Sequence, residues 1–179
     1  DWDRLDREYE LAEQQAAGYE LIQLTGPIPE HLMADVIQMT EAINDAPTDD
    51  WEIEDEVFSP ERIRAFEAAQ DALQRRVYRL IARERSTGEL AGHTVVGVEG
   101  EWPWFGRQYD TSVLRTHRGH RLGRYLKIGM LRWLQSAEPQ LRTISTWNSA
   151  SNDHMIAVNE LLGYLVLGTG LGYQRRLDA

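Results

Sequence analysis

Residues 115–127, RTHRGHRLGRYLK, decide how this chain is read. From Arg115 to Arg132 there are six Arg or Lys residues, two His and no acidic residue. The chain as a whole carries a formal charge of −10. Gly119 and Gly123 fall where a valine- and leucine-bearing run, 109–114, gives way to the helical spacing of Leu122, Leu126, Met130 and Trp133. A strand, a tight basic turn and a helix start together aim backbone N–H groups and a helix N-terminus at phosphate. A nucleotide-type ligand is therefore the first expectation. Taken alone, the turn also reads as a solvated positive patch, although positive charge is unfavourable at that end of a helix.

The flanking sequence predicts the scaffold. Residues 2–17 have helical spacing, with Leu5, Tyr9, Ala12 and Ala16 on one side and Gly18 as a stop. Residues 19–25 read as a strand closed by Gly26-Pro27. Pro29 opens a helix bearing Leu32, Val36, Met39 and Ile43. Residues 45–56 hold seven Asp or Glu in twelve positions and read as a solvated connection. Ser59-Pro60 supplies a cap and a first-turn proline for a third helix that carries Ile63, Phe66 and Leu73 inward. From Val77 the period changes to two. Residues 77–85 and 90–98 predict a hairpin, and 106–114 and 142–147 predict further strands. A helix over 153–162 ends at Gly163, and 164–167 with 171–177 predict a terminal strand pair. Helices first and then a sheet with two late helices make an α/β, or α+β layered, domain.

Composition narrows the function. At 179 residues, 42% apolar and 27% charged, the chain is expected to be one globular domain over 19–179 behind a leading or inter-domain linker helix over 1–18. It has no cysteine, which removes disulfides, thiolate metal sites and cysteine nucleophiles, and is compatible with a cytoplasmic location. The acidic balance disfavours nucleic acid or an anionic membrane as partner. The five histidines form no metal-ligand spacing with Asp or Glu, so no metal is expected.

Two pieces in order carry a resemblance. The first is Val113-Leu114-Arg115 followed by Arg118-Gly119-His120-Arg121-Leu122-Gly123. The second is Asn148-Ser149-Ala150-Ser151-Asn152, then Met155, Asn159 and Leu162-Gly163-Tyr164. Together they resemble the GNAT superfamily of acyl-CoA-dependent N-acetyltransferases across roughly 77–177. The leading helix, the PTDD segment with Trp51 and these motifs are similar, more narrowly, to the C-terminal domain of tandem GNAT proteins of actinobacterial type. The resemblance implies a GNAT-like fold with a central, mostly antiparallel mixed sheet flanked by helices. It implies acetyl-CoA (coenzyme A) as donor and a small-molecule amine or peptide amine as acceptor. It also implies an N-terminal GNAT partner domain or a homodimer.

For the site, the resemblance implies a pyrophosphate cradle from the backbone of His120, Leu122, Gly123 and Arg124 around Gly119. Arg115, Arg118, Arg121 and Arg124 would lend charge, and the Val113 backbone would meet the pantetheine arm. Two departures stand out. Arg121 occupies a place where the family has glycine. Asn159 stands where many members have a tyrosine taken to protonate the leaving thiolate, and asparagine cannot serve as that acid. The alternative is thus a weak or inactive domain with an acyl-CoA-binding, structural or regulatory role. Asn152 is either a contact to the acyl-CoA arm or an Asx cap. A protonated amine needs a base or a water wire, for which Asp110, Glu99, Glu101 and His93 are candidates. The aromatic loop 102–105 lines an acceptor pocket, docks a partner, or packs as an ordinary loop.

Overall fold

The fold is described from a computed structural model that covers all residues except Asp50, Trp51, Arg176, Asp178 and Ala179. Two members of the acidic run and one residue of the expected last strand thus lie outside the described residues.

Capping and periodicity place the elements where the sequence puts them. Asp1 accepts from the Arg4 N–H at 3.1 Å and opens α1, Trp2–Gln15. Strand β1, Tyr19–Thr25, follows, and then a 3₁₀ turn leads into α2, Met33–Glu41. A second 3₁₀ turn, Ala42–Asp45, ends that helix. Ser59 accepts from the Arg62 N–H at 3.2 Å and Pro60 begins α3, Pro60–Ala72. Strands β2, Arg76–Glu84, β3, Leu90–Val98, and β4, Phe105–Val113, precede α4, Leu122–Ala137. Strand β5, Thr143–Ser145, and helix α5, Asp153–Leu161, complete the order.

The sheet runs β1-β2-β3-β4-β5, antiparallel except for the parallel β4–β5 pair. Central β3 is buried along its whole length. On one face Leu80, Ala82, Val96 and Val98 pack under Ala12 of α1 and Leu122, Leu126 and Met130 of α4. On the other, Ile81 and Leu90 pack under Met33, Val36 and Met39 of α2 and Ile63 of α3. Helix α5 closes against α1 and α4 through Leu5, Ile128, Val158 and Leu162. This is the layered domain that the residue pattern predicts, with the mixed, mostly antiparallel sheet flanked by helices that the resemblance implies.

Two expectations are corrected. Leu73 does not point inward: it is the C-cap of α3 and 52% exposed, because Gln74 turns the chain with φ 53° just beyond it. The terminal strand pair is absent among the described residues. Residues 164–175 and Leu177 form no strand, and Leu165, Leu167, Leu171 and Tyr173 are exposed. A strand needs a laddered neighbour, and β5 offers only three residues of edge to a glycine-rich segment poor in strand propensity.

One position shows how closely β3 and β4 lie. A Cβ on Gly92 would sit 2.5 Å from the Ser112 carbonyl oxygen and 3.0 Å from Val113 Cα, both backbone atoms. Gly92→Ala is expected to lower stability by about 1–3 kcal/mol through overpacking. A thermal melt should show this as a fall of roughly 3–10 °C.

Candidate active site: a basic turn and a cavity on the bulged strand

The turn after β4 is open where a ligand would need it to be. Gly119 has φ 89°, and an added Cβ at Gly119 or Gly123 would meet nothing within 4 Å. Helix α4 starts at Leu122 without a side-chain cap. Its first ladder bond is Tyr125 N–H to the Arg121 carbonyl at 3.0 Å. No described residue accepts from the N–H groups of His120, Leu122, Gly123 or Arg124. Unpaired donors at the positive end of a helix dipole are suited to receive an anion. Arg121 caps this helix in the left-handed region, φ 55°, where a residue with a Cβ is strained by about 1–2 kcal/mol.

The cations of the turn are mostly engaged. Asp45, at the end of the turn after α2, accepts from Arg115 Nε at 2.9 Å and from Arg118 Nη2 at 2.6 Å, and also binds Arg115 Nη2. These bonds, Arg115 first and then Arg118, hold the Asp45 carboxyl down to about 2. Arg124 pairs with Glu8 at 2.9 Å and Arg132 with Asp6 at 3.5 Å, both partners lying on α1. Arg121 has no hydrogen bond or ion pair among the described residues. Sequence reasoning missed Asp45, whose partners lie 70 and 73 residues away.

Lys127 is not a surface cation. It is 2% exposed, donates to Asn159 Oδ1 at 2.5 Å and lies over the Tyr164 ring. Burial pulls its ammonium down to about 8. Asn159 in turn donates to Asn148 Oδ1 at 2.7 Å, so a polar chain runs from buried Lys127 on α4 through α5 to exposed Asn148 in the loop after β5. Asn152 caps α5 by accepting from the Met155 N–H at 3.1 Å.

Strand β4 carries the remaining features. Its pairing with β5 covers only Phe105–Arg107, so the backbone from Gln108 to Val113 has no strand on that side. On the β3 side, Thr94 faces Thr111 and Val96 faces Gln108. Tyr109 and Asp110 therefore stand against Val95 alone, a β-bulge that re-aims side chains. Both line a cavity of about 250 Å³ between α2, α3 and the sheet, together with Ile43, Phe58, Phe66 and Arg79. A larger cavity, about 450 Å³, lies between α1, α4, β1 and β2 and includes no residue of the turn or of β4.

The base candidates separate by environment. Asp110 makes no hydrogen bond or salt bridge among the described residues, and burial raises its carboxyl above the usual range while Arg79 opposes that rise. Glu99 is bound by Arg75 at 2.8 Å and Arg107 at 2.7 Å, which hold it low. His93 is fully buried, and burial followed by the Arg79 charge pushes it well below its ordinary value. Glu101 is exposed between β3 and β4 and does not line the cavity. Trp102 and Trp104 beside it are about half exposed. Arg79 was missed, yet its signal is in the sequence: strand alternation places it on the face of Ile81, toward α2 and α3. Among the described residues no group of three or more His, Asp or Glu could hold a metal. None of the helices is long and apolar enough to cross a membrane, again among the described residues.

The architecture has close counterparts among solved structures. A tandem GNAT protein from the clavulanic acid biosynthesis pathway is 32% identical, with a TM-score of 0.68 over 82% of this chain. The chain belongs to the GNAT superfamily. It spans 42% of the length of that tandem protein. An N-acetyltransferase from Staphylococcus aureus Mu50 matches with a TM-score of 0.60 at 15% identity, covering 86% of this chain and 90% of its own. An aminoglycoside acetyltransferase from an uncultured soil metagenomic sample, in complex with sisomicin, matches with a TM-score of 0.60 at 10% identity, covering 90% and 98%. At such identities these two show the shared fold alone. No protein-family model matches the chain, and a search of curated proteins found no match.

Proposed function

We propose that this GNAT domain transfers an acetyl group from acetyl-CoA to a primary amine by direct attack within a ternary complex. The observation that carries the proposal is the uncapped start of α4 beside open Gly119 and Gly123. The residues present fit a pyrophosphate there: N–H donors of His120, Leu122, Gly123 and Arg124, with Arg121 uncommitted. The edge of β4 from Gln108 to Val113, which has no strand neighbour on that side, supplies backbone groups for the pantetheine arm and for the oxygen that gains charge as the amine adds, the Val113 carbonyl already accepting from Arg118 Nε at 3.1 Å. The bound thioester supplies the acyl group. Asp110, with its raised carboxyl, takes the ammonium proton so that the neutral amine attacks. Neither Asn159 nor Asn148 can donate a proton to the departing thiolate. Tyr164, whose buried hydroxyl has no partner among the described residues and is pushed up to about 12 by burial, lies with its ring centroid 5.2 Å from Lys127 Nζ.

The second reading is a weak or inactive domain that serves an N-terminal partner, with residues 1–18 as the connecting helix. It draws on Asp45, which already occupies Arg115 and Arg118 as a phosphate would. Calorimetric titration with acetyl-CoA decides. The wild-type chain is expected to bind, and Asp45→Asn to bind roughly threefold to tenfold more tightly because two arginines are released to the anion. A folded wild-type chain without detectable binding overturns the acetyl-transfer reading. Free CoA released with an amine panel then measures turnover.

A further inference from the structure

The cavity at the bulge of β4 contains a buried cation that forms no ion pair with a carboxylate of the described residues. Arg79 lines it from β2 at 7% exposure. Its only hydrogen bond is to His93 Nδ1, at 2.6 Å, and it makes no salt bridge to a carboxylate among the described residues. His93 cannot balance the charge, since a neutral imidazole carries no negative charge, and burial and the Arg79 charge keep it from becoming a second cation. The guanidinium remains protonated all the same, because burial lowers it only to about 10. Nearby carboxylates are otherwise engaged. Glu56 is bound through its carboxylate by Arg62, and Glu67 by Arg64 and the Ile28 N–H. A guanidinium has five N–H donors in a planar fork suited to a carboxylate, and a buried cation left unpaired is strongly destabilising.

Asp110 complements it. It lines the same cavity from the bulge of β4 and is likewise without a salt bridge, so the two charges are neighbours that have not closed on each other. Phe58, Phe66 and Tyr109 line the same cavity and offer apolar surface to the body of a ligand. The volume of about 250 Å³ is below the range of drug-sized sites and suits a small molecule.

We propose that the acceptor is a zwitterion, a small amine that also carries a carboxylate, with that carboxylate on Arg79 and the amine toward Asp110. This rests on the acetyl-transfer reading and narrows its substrate class. A plain monoamine leaves Arg79 unanswered, and a polycation sets like charge against it. An α-amino acid answers both poles at once. Acylation of its nitrogen removes one charge and leaves the carboxylate on Arg79. The ammonium gives one proton to Asp110, the neutral nitrogen bonds to the acyl carbon, the carbon–sulfur bond breaks, and the nitrogen's second proton ends on the departing CoA sulfur.

The test is a binding comparison that does not depend on turnover. The chain, labelled with ¹⁵N-arginine, is titrated with the common amino acids and with the methyl ester of each, following the Arg79 Nε–H signal by NMR. At least one acid is expected to bind about tenfold to a hundredfold more tightly than its ester. That ratio should fall to near one in Arg79→Gln and survive in large part in Arg79→Lys. The proposal is overturned if no acid binds at millimolar concentration, if esters bind as well as acids, or if the preference persists in Arg79→Gln. Should Arg79→Gln fail to fold by circular dichroism, the wild-type ratio and the Arg79 signal decide. Failure of the acetyl-transfer reading shows separately, as absent acetyl-CoA binding with the acid preference intact.

Discussion

Gly123→Glu is expected to abolish acetyl-CoA binding while leaving the fold intact. An added side chain at this position meets nothing within 4 Å, so no neighbour has to move. Gly123 lies in the first turn of α4, where a carboxylate favours the helix dipole and any residue but proline improves on glycine. Folding stability should therefore hold or rise slightly. The same carboxylate sits among the N–H groups proposed to face the pyrophosphate, and like charge there costs several kcal/mol. Affinity should fall at least about a hundredfold by calorimetry, with the melting temperature unchanged or raised. Retained affinity in this variant would move the phosphate site away from α4.

The second large effect concerns Lys127. Burial depresses its ammonium to about 8, against an ordinary value of 10.5. Between those values the unfolded chain holds a proton that the folded chain has lost, so unfolding becomes harder as pH rises. Below about pH 8 both states are protonated and the full penalty of the buried charge persists. Tyrosines raised by burial, such as Tyr78 and Tyr164, pull the other way only above their ordinary value of 10.0. From pH 8 to 10 the wild type should gain on the order of 2–3 kcal/mol, a rise of roughly 5–10 °C in melting temperature. Lys127→Met should show no such rise. Parallel pH profiles for the two would leave Lys127 with an ordinary ammonium.

These two positions show what a sequence can and cannot declare. Gly123 was legible because turn chemistry is local: a strand, glycines and a helix start fit within a dozen residues. The same locality made Ser59-Pro60, the β2–β3 hairpin and Gly163 readable, since caps and short turns depend on near neighbours. Lys127 reads in the sequence only as one of six cations in a basic run, because its burial depends on α5, 32 residues on at Asn159. The bulge at Val95 depends on cross-strand register, which no single strand encodes. Asp45 drew no notice because any of seven acidic residues between 45 and 56 fits a solvated run. The terminal strands were over-read from alternation alone, because alternation says which face a strand would bury and not whether an edge exists to receive it.

The engagement of the basic turn has a kinetic consequence. Asp45, Glu8 and Asp6 answer four of the six cations between Arg115 and Arg132; Lys127 is buried against the neutral Asn159, and Arg121 has no partner among the described residues. At a distance, an approaching phosphate therefore meets the field of a chain with net charge −10 rather than that of six cations. Attraction begins only at contact, where Arg121 and the α4 N–H groups are within reach. Capture by such a turn is short-ranged, and its selectivity lies in what is retained rather than in what is drawn in.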